Sequence, residues 1–185
     1  IEVEDFGDDV LNKLLKLKKT NKILTFKKIL KILIKLQSIK DKHVINFENQ
    51  KYIVMEYDNK TLSNEANLFC EWYTPEKLNS FKNINFKKKY QKEIKKLISK
   101  LNFKNDTFVH RDFHVSNLML VENQIGVIDS QDALIGNKAY DLASLIDDVR
   151  FRTSSSLKQK IYNYYIKNHL KLEKRKFKND FEILS

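Results

Sequence analysis

The sequence is poor in cysteine, proline and glycine, and it has no long apolar run. Its 185 residues include one cysteine, one proline and three glycines. The single cysteine, Cys70, cannot form an internal disulfide, which fits a reducing compartment, so we expect a cytoplasmic protein. No segment approaches the roughly 18 consecutive apolar residues of a membrane-spanning helix, and we therefore expect no membrane partner.

The scarcity of glycine also excludes the common phosphate-binding loops. Loops that wrap backbone amides around phosphates need closely spaced glycines, and Gly7, Gly126 and Gly136 are far apart in this chain. The sequence therefore contains no phosphate-cradling loop.

The net charge of +11 does not by itself predict nucleic-acid binding. Lysines are spread through almost every helical pattern, whereas the electrostatic footprint of a nucleic-acid site should cluster. We therefore predict no nucleic-acid partner.

With 185 residues, of which 42% are hydrophobic, the chain is long enough for one globular domain with a real core.

Helical periodicity dominates the chain and predicts an α+β fold that is mainly α. Apolar residues recur at helical spacing in six segments: 9–17, 23–39, a segment capped by Ser63, 85–101, 139–150 and 157–170. Residues 41–59 are polar and irregular, which predicts a loop, either at a substrate or without a role. Thr74 and Pro75 predict a new helix start, with Thr74 as the N-cap.

Residues 107–132 combine short apolar runs with carboxylate and amide side chains. The runs predict three strands, the last two joined into a hairpin by a polar turn: 107–109, 118–121 and 125–128, with the turn at 122–124. This hairpin would bring Asn117, at the start of one strand, close to Asp129, at the end of its partner. Asp112 lies on the loop just before them.

These three side chains suit phosphoryl transfer. Mg²⁺ prefers hard oxygen ligands and usually takes only one or two carboxylates, so Asn117 and Asp129 are candidate metal ligands. Asp112 can accept a hydrogen bond from a substrate hydroxyl and orient it. Together with His110 and Arg111, they match the H-R-D-x-x-x-x-N pattern of kinase catalytic loops without a gap.

Other interpretations of these residues stay open. His110 alone can be a structural hydrogen-bonding residue. His110 with Asp112 could begin an iron site, and His110 with His114 could share zinc. Trp72 could pack in the core or stack on a sugar ring, and Cys70 is expected to fill the core.

A resemblance to a known family is carried by three motifs: HRDFHVSNLML, IDSQDALIGNKAYDLASLIDDVR and LFCEWY. They resemble the aminoglycoside phosphotransferase family, the small-molecule branch of the protein-kinase-like fold. Within it they look like the bacterial kinases that phosphorylate the anomeric hydroxyl of N-acetylmuramate or N-acetylglucosamine. The resemblance implies a protein-kinase-like C-terminal lobe, a helical bundle with a small β-hairpin at the catalytic loop. It also implies ATP and Mg²⁺ as cofactors and a small-molecule hydroxyl as acceptor.

The resemblance also assigns roles to individual residues. Asp112 becomes the catalytic base, with Arg111 steadying the loop or the charge nearby, and Asn117 and Asp129 become the metal ligands. The resemblance assigns the nucleotide hinge to Glu4, Asp5 and Phe6. It places four residues on the acceptor side: Glu65, Trp72, Gln131 and Asp132. His110 and Asp141 are structural residues, and Asp141 either braces the loop or caps a helix. The sequence departs from the family at Ser130, where an aromatic residue usually follows the metal aspartate.

The resemblance further predicts how the chain is divided. Residues 1–8 correspond to a hinge remnant of a missing N-terminal lobe, 9–170 to the C-terminal lobe, and 171–185 to the start of a truncated helical segment. We therefore expect a monomer that binds ATP and a small-molecule acceptor and is inactive as a fragment.

The alternative functions are an aminoglycoside or choline-type kinase, or a non-catalytic pseudokinase lobe. A choline-type acceptor predicts an aromatic and acidic cage, and none stands out in the sequence.

Overall fold

The computed structural model describes residues 5–45, 48–169 and 172–185 of the chain. Within these ranges the helices are α1 (Leu11–Lys16), α2 (Lys22–Leu36), α3 (Asn59–Leu68), α4 (Thr74–Lys77), α5 (Ser80–Ile98), α6 (Tyr140–Ile146), α7 (Ser155–Asn168) and α8 (Lys174–Leu184). The strands form three antiparallel pairs: β1 (His43–Ile45) with β2 (Lys51–Ile53), β3 (Thr107–Val109) with β6 (Leu134–Gly136), and β4 (Leu118–Val121) with β5 (Gln124–Val127). This architecture confirms the α+β, mainly helical prediction.

Helix α2 supplies the centre of the core. Its inward face is fully buried against α7 and β5, and it consists of Phe26, Ile29, Leu30 and Leu33. Asn21 caps the helix by accepting a hydrogen bond from the backbone nitrogen of Leu24 at 3.1 Å. The opposite face is exposed, with Leu24 half-accessible to solvent, so α2 buries one face only.

The hairpin β4–β5 carries the residues of greatest chemical interest, and its turn is shorter than the sequence suggested. Gln124 pairs with Val121, which leaves a two-residue turn at Glu122 and Asn123 instead of three residues. Both turn residues have positive φ angles, 45° and 65°. A two-residue turn of this kind matches the twist of its strands, and asparagine tolerates the left-handed conformation better than most residues.

Helix α3 begins earlier than predicted. Asp58 caps α3 by accepting a hydrogen bond from the backbone nitrogen of Thr61 at 2.7 Å, so the predicted cap at Ser63 is wrong. Ser63 instead lies inside the helix. The predicted new start at Thr74 is also wrong, because a π-helical stretch, Phe69–Tyr73, joins α3 directly to α4.

Three further segments differ from their predictions. Residues 41–59 contain the solvent-exposed hairpin β1–β2 instead of an irregular loop. The predicted helix 139–150 ends at Ile146. Helix α5 packs against α3, and of its predicted apolar face only Ile98 is buried.

The last helix, α8, packs into the core through Phe177 and Asp180, which are both fully buried. The Asp180 carboxylate accepts hydrogen bonds from the backbone nitrogens of Asn102 and Phe103 and from the side chain of Asn137, at 2.7–3.0 Å. Burial acts to raise the pKa of Asp180, but these donors outweigh it and hold the pKa below its usual value. One buried carboxylate thus ties α8 to the loops that flank the β3–β6 pair.

Candidate active site

The catalytic-loop motif follows β3 and ends where β4 begins. A 3₁₀ turn, Val115–Asn117, delivers the chain into β4. Two non-glycine residues at this end of the hairpin have positive φ angles, Arg111 at 74° and Asp129 at 68°. Left-handed backbone at such residues is uncommon, and it tends to occur where the surrounding structure enforces a functional arrangement.

The structure brings Asp112, Asn117 and Asp129 together. The amide nitrogen of Asn117 lies 3.3 Å from Oδ2 of Asp129 and 3.1 Å from the backbone oxygen of Asp112. The Asp112 side chain is 52% exposed, so its carboxylate is accessible from solvent. The proximity of Asn117 and Asp129 that the hairpin predicted is therefore present in the fold.

This donor set matches the coordination chemistry of Mg²⁺. It offers one carboxylate, Asp129, and one amide, Asn117, both open to solvent. Mg²⁺ commonly keeps several waters and is held by one or two carboxylates together with phosphate oxygens. Gln131 donates to the other oxygen of Asp129 at 2.6 Å, which orients that carboxylate.

The His110 ring bonds to the backbone and not to another side chain of the site. Nε2 of His110 lies 3.0 Å from the backbone oxygen of Ile128, and because a carbonyl only accepts, this nitrogen carries the proton. Burial lowers the pKa of both His110 and His114, which keeps both rings neutral near pH 7. Among the described residues, no group of three or more His, Cys, Asp and Glu side chains could hold a metal ion, so the zinc and iron interpretations gain no support.

Asp141 lies beneath the loop. Its two carboxylate oxygens accept hydrogen bonds from the backbone nitrogens of His110, at 2.9 Å, and Arg111, at 3.1 Å. It makes no capping bond at the start of α6, so its described contacts favour the bracing interpretation over capping. Complete burial raises the pKa of Asp141 to about 7, and the two N–H donors oppose that rise.

Arg111 is held by its side chain as well as its backbone. Its guanidinium pairs with Glu65 of α3, and its Nη1 donates to the backbone oxygen of Asp132 at 3.2 Å. Burial alone would lower the pKa of Arg111, but the Glu65 carboxylate and Tyr57 together raise it. Glu65, predicted on the acceptor side, is thus tied to the catalytic loop.

The remaining predicted residues lie outside the cluster of Asp112, Asn117 and Asp129. The Asp5 carboxylate accepts a hydrogen bond from the backbone nitrogen of Gly7 at 2.8 Å, and the Phe6 ring lies against Gly126 of β5. Glu4 lies outside the described residues. Trp72 is 76% exposed, so the core-packing interpretation weighed for it is wrong, whereas Cys70 is buried as expected.

Reasoning from the sequence missed Tyr57 and Tyr140. The Tyr57 hydroxyl donates to Glu65, and the two tyrosine hydroxyl oxygens lie 3.0 Å apart. Tyr57 lies outside the three motifs, Tyr140 lies within the second motif without an assigned role, and 83 positions separate the two residues. The only available signal was the position of Tyr140 immediately before Asp141.

Comparison with known proteins matches the chain to one enzyme family and to several relatives. A family model described as "Phosphotransferase enzyme family" (APH) matches residues 31–174. The chain is similar to the N-acetylmuramate/N-acetylglucosamine kinase of Neisseria meningitidis, with 41% identity over 98 residues, covering 52% of this chain and 29% of that protein. It is also similar to the protein of the same name from Caulobacter vibrioides, with 23% identity over 184 residues, covering 95% of this chain and 49% of that protein. The similar Pseudomonas aeruginosa kinase of this name is 33% identical over 96 residues, covering 52% and 28%.

These alignments span about half or less of the relatives' own lengths. Within the described ranges, every helix is too short or too polar to cross a bilayer.

Proposed function

The chain belongs to the phosphotransferase enzyme family (APH), and on that premise we propose that the whole protein transfers the γ-phosphate of ATP to a hydroxyl of an amino sugar. The observation that carries this proposal is the placement of an accessible carboxylate, Asp112, beside the Asn117–Asp129 pair. Phosphoryl transfer depends chiefly on positioning and charge compensation, and this arrangement can supply both.

In the proposed reaction, Asp112 is the base. It accepts the proton of the acceptor hydroxyl as the acceptor oxygen forms its bond to the γ-phosphorus. The bond from that phosphorus to the bridging oxygen of ATP breaks, and ADP leaves with the electron pair. Gln131 and the Asp132 side chain, both exposed beyond Asp129, are proposed to face the acceptor, together with Trp72.

Asn117 and Asp129 are proposed to hold Mg²⁺, which when bound compensates the charge of the phosphates. Gln131 supports the site by orienting the Asp129 carboxylate. Asp5 and Phe6, with Glu4 before them, are proposed to contact the nucleotide.

The choice of an amino sugar, attacked at its anomeric hydroxyl, is supported by the relatives named N-acetylmuramate/N-acetylglucosamine kinase. An N-terminal lobe is proposed to complete the nucleotide site, because the chain has no glycine-rich loop that could position the phosphates. The 185-residue chain alone is therefore expected to show little or no turnover, since much of the positioning would be lost.

The test is an ADP-release assay with ATP and Mg²⁺ on the full-length protein. N-acetylmuramate, N-acetylglucosamine, an aminoglycoside and choline serve as separate acceptors, and the 185-residue chain is assayed in parallel. Turnover that depends on an amino sugar and is confined to the full-length protein is the expected result. Turnover only with the aminoglycoside or choline would overturn the acceptor assignment, and turnover by the 185-residue chain would overturn the requirement for a further lobe.

A further inference from the structure

We propose that Tyr57 is a positioning residue for the phosphotransfer proposed above. It acts through Glu65 on Arg111, the residue immediately before the proposed base Asp112. The inference rests on the proposed function for its effect on turnover, whereas the geometry of the network can be tested separately.

Both oxygens of the Glu65 carboxylate are engaged inside the protein. Oε1 accepts from Nη2 of Arg111, and Oε2 accepts from the hydroxyl of Tyr57. A carboxylate held from two sides has little freedom to turn towards an acceptor. This arrangement assigns Glu65 to holding Arg111 and not to contacting the sugar.

The direction of the hydrogen bonds follows from the chemistry of the groups. An ionised carboxylate only accepts, so the single hydroxyl proton of Tyr57 points to Glu65. The Tyr140 hydroxyl, 3.0 Å away, must then donate to the oxygen of Tyr57. Burial raises the pKa of both tyrosines above the usual value, so both stay neutral donors near neutral pH.

Tyr57 is fixed by its surroundings and can therefore direct Glu65. The residue is 1% exposed, and its backbone nitrogen donates to Ile135 of β6 at 2.8 Å. Its ring meets that of Tyr140 edge to face, with centroids 4.9 Å apart. A Cβ on Gly136 would lie 3.0 Å from the Cβ of Tyr57, which is a tight contact, so glycine at position 136 leaves room for the strand to pass close to Tyr57.

The network holds Arg111 from several directions. The guanidinium carbon lies 5.4 Å from the centre of the Tyr57 ring, which adds a cation–π contact to the Glu65 pair. The backbone nitrogen of Arg111 is bound by Asp141, which follows Tyr140 in α6. With its backbone and side chain both fixed at a positive φ angle, Arg111 sets the direction in which the chain presents Asp112.

The experiment compares Tyr57→Phe with Tyr165→Phe in the full-length protein. Tyr165 is equally buried, and its hydroxyl donates to Gln37 at 2.6 Å without bonding to the catalytic loop. We expect Tyr57→Phe to lower kcat about tenfold with little change in KM for ATP, because it weakens a charge-assisted hydrogen bond on a positioning group. Tyr165→Phe should keep the wild-type kcat. Equal kcat values for the two variants would overturn the proposal.

Two further variants separate positioning from acceptor binding. Glu65→Gln should lower kcat, and a raised KM for the sugar with unchanged kcat would instead make Glu65 an acceptor ligand and overturn the proposal. As a single substitution, Tyr140→Phe should lower kcat. Combined with Tyr57→Phe it should cause little further loss of kcat, since both hydroxyls act through one chain of hydrogen bonds. Fully additive effects would contradict that chain.

A readout independent of turnover distinguishes failure of this inference from failure of the proposed function. Side-chain ¹⁵N NMR reports how freely the Arg111 guanidinium rotates. We expect hindered rotation in the wild type and in Tyr165→Phe, and faster rotation in Tyr57→Phe. Unchanged rotation in Tyr57→Phe would overturn the network whether or not the protein phosphorylates an amino sugar.

Discussion

The Oδ1 atom of Asp141 lies 3.1 Å from the backbone nitrogen of Arg111, although 30 positions separate the two residues. The other carboxylate oxygen holds the neighbouring amide of His110. The first turn of α6 thus fixes the backbone of the catalytic loop directly beneath the proposed base. Asp141 is completely buried, so its charge state is coupled to the stability of the fold.

Replacing Asp141 with asparagine should flatten the pH dependence of stability. Burial raises the pKa of Asp141 in the folded state to about 7 from its usual value of 3.8. Between these values the folded state binds more protons than the unfolded state, so the contribution of Asp141 to stability is full below pH 3.8 and is lost as pH rises towards about 7. Urea unfolding measured across this pH range should show that the free energy of unfolding of the wild type declines by up to about 4 kcal/mol as pH rises. Asp141→Asn should lack this decline. Parallel stability profiles for the two proteins would contradict this account.

Removing the Asp180 carboxylate should destabilise the protein strongly. Asp180→Ala leaves the part-buried backbone amides of Asn102 and Phe103 and the buried side-chain amide of Asn137 without their acceptor, and we expect a loss of about 3 kcal/mol in the free energy of unfolding. Glu182→Ala is the matched control, because it removes an acidic side chain from the same helix that, within the described part of the chain, pairs with Lys178 at the surface. Urea unfolding measures both variants. Similar losses in the two would show that Asp180 is not the link between α8 and the core.

Asp129→Asn should raise the Mg²⁺ requirement of the full-length protein. The substitution keeps the size of the side chain, and asparagine tolerates the positive φ of this position, but a carboxylate ligand is lost. We expect the Mg²⁺ concentration for half-maximal turnover to rise at least about tenfold. Glu122→Gln, which removes one negative charge at the opposite end of the hairpin, should leave it unchanged. If both variants shift the requirement equally, the effect is a general charge effect and Asp129 is not a ligand.

The parts of the site that could be predicted from the sequence depend on local patterns. Short apolar runs around a polar turn defined the β4–β5 hairpin, and antiparallel pairing then placed Asn117 near Asp129. The buried face of α2 followed from helical spacing in the same way. Each of these features is encoded within about 20 consecutive residues.

The parts that could not be predicted depend on contacts between distant segments. Glu65 meets Arg111 across 46 positions, and Tyr57 meets Tyr140 across 83, so no local periodicity indicates either contact. The π-helical stretch Phe69–Tyr73 escaped prediction for a related reason. Thr74 and Pro75 are an ordinary N-cap and first-turn pair, yet here the helix continues through them.

The most direct test of the central claim is the turnover of Asp112→Asn in the full-length protein with ATP, Mg²⁺ and an amino sugar. Asparagine keeps the shape of the side chain but cannot accept the proton of the acceptor hydroxyl, so we expect kcat to fall about a thousandfold while ATP still binds. Asp106→Asn, the same change at an exposed aspartate just before β3, should retain wild-type turnover. Turnover by Asp112→Asn within about tenfold of the wild type would contradict the assignment of Asp112 as the base and, with it, the proposed phosphotransfer mechanism at this loop.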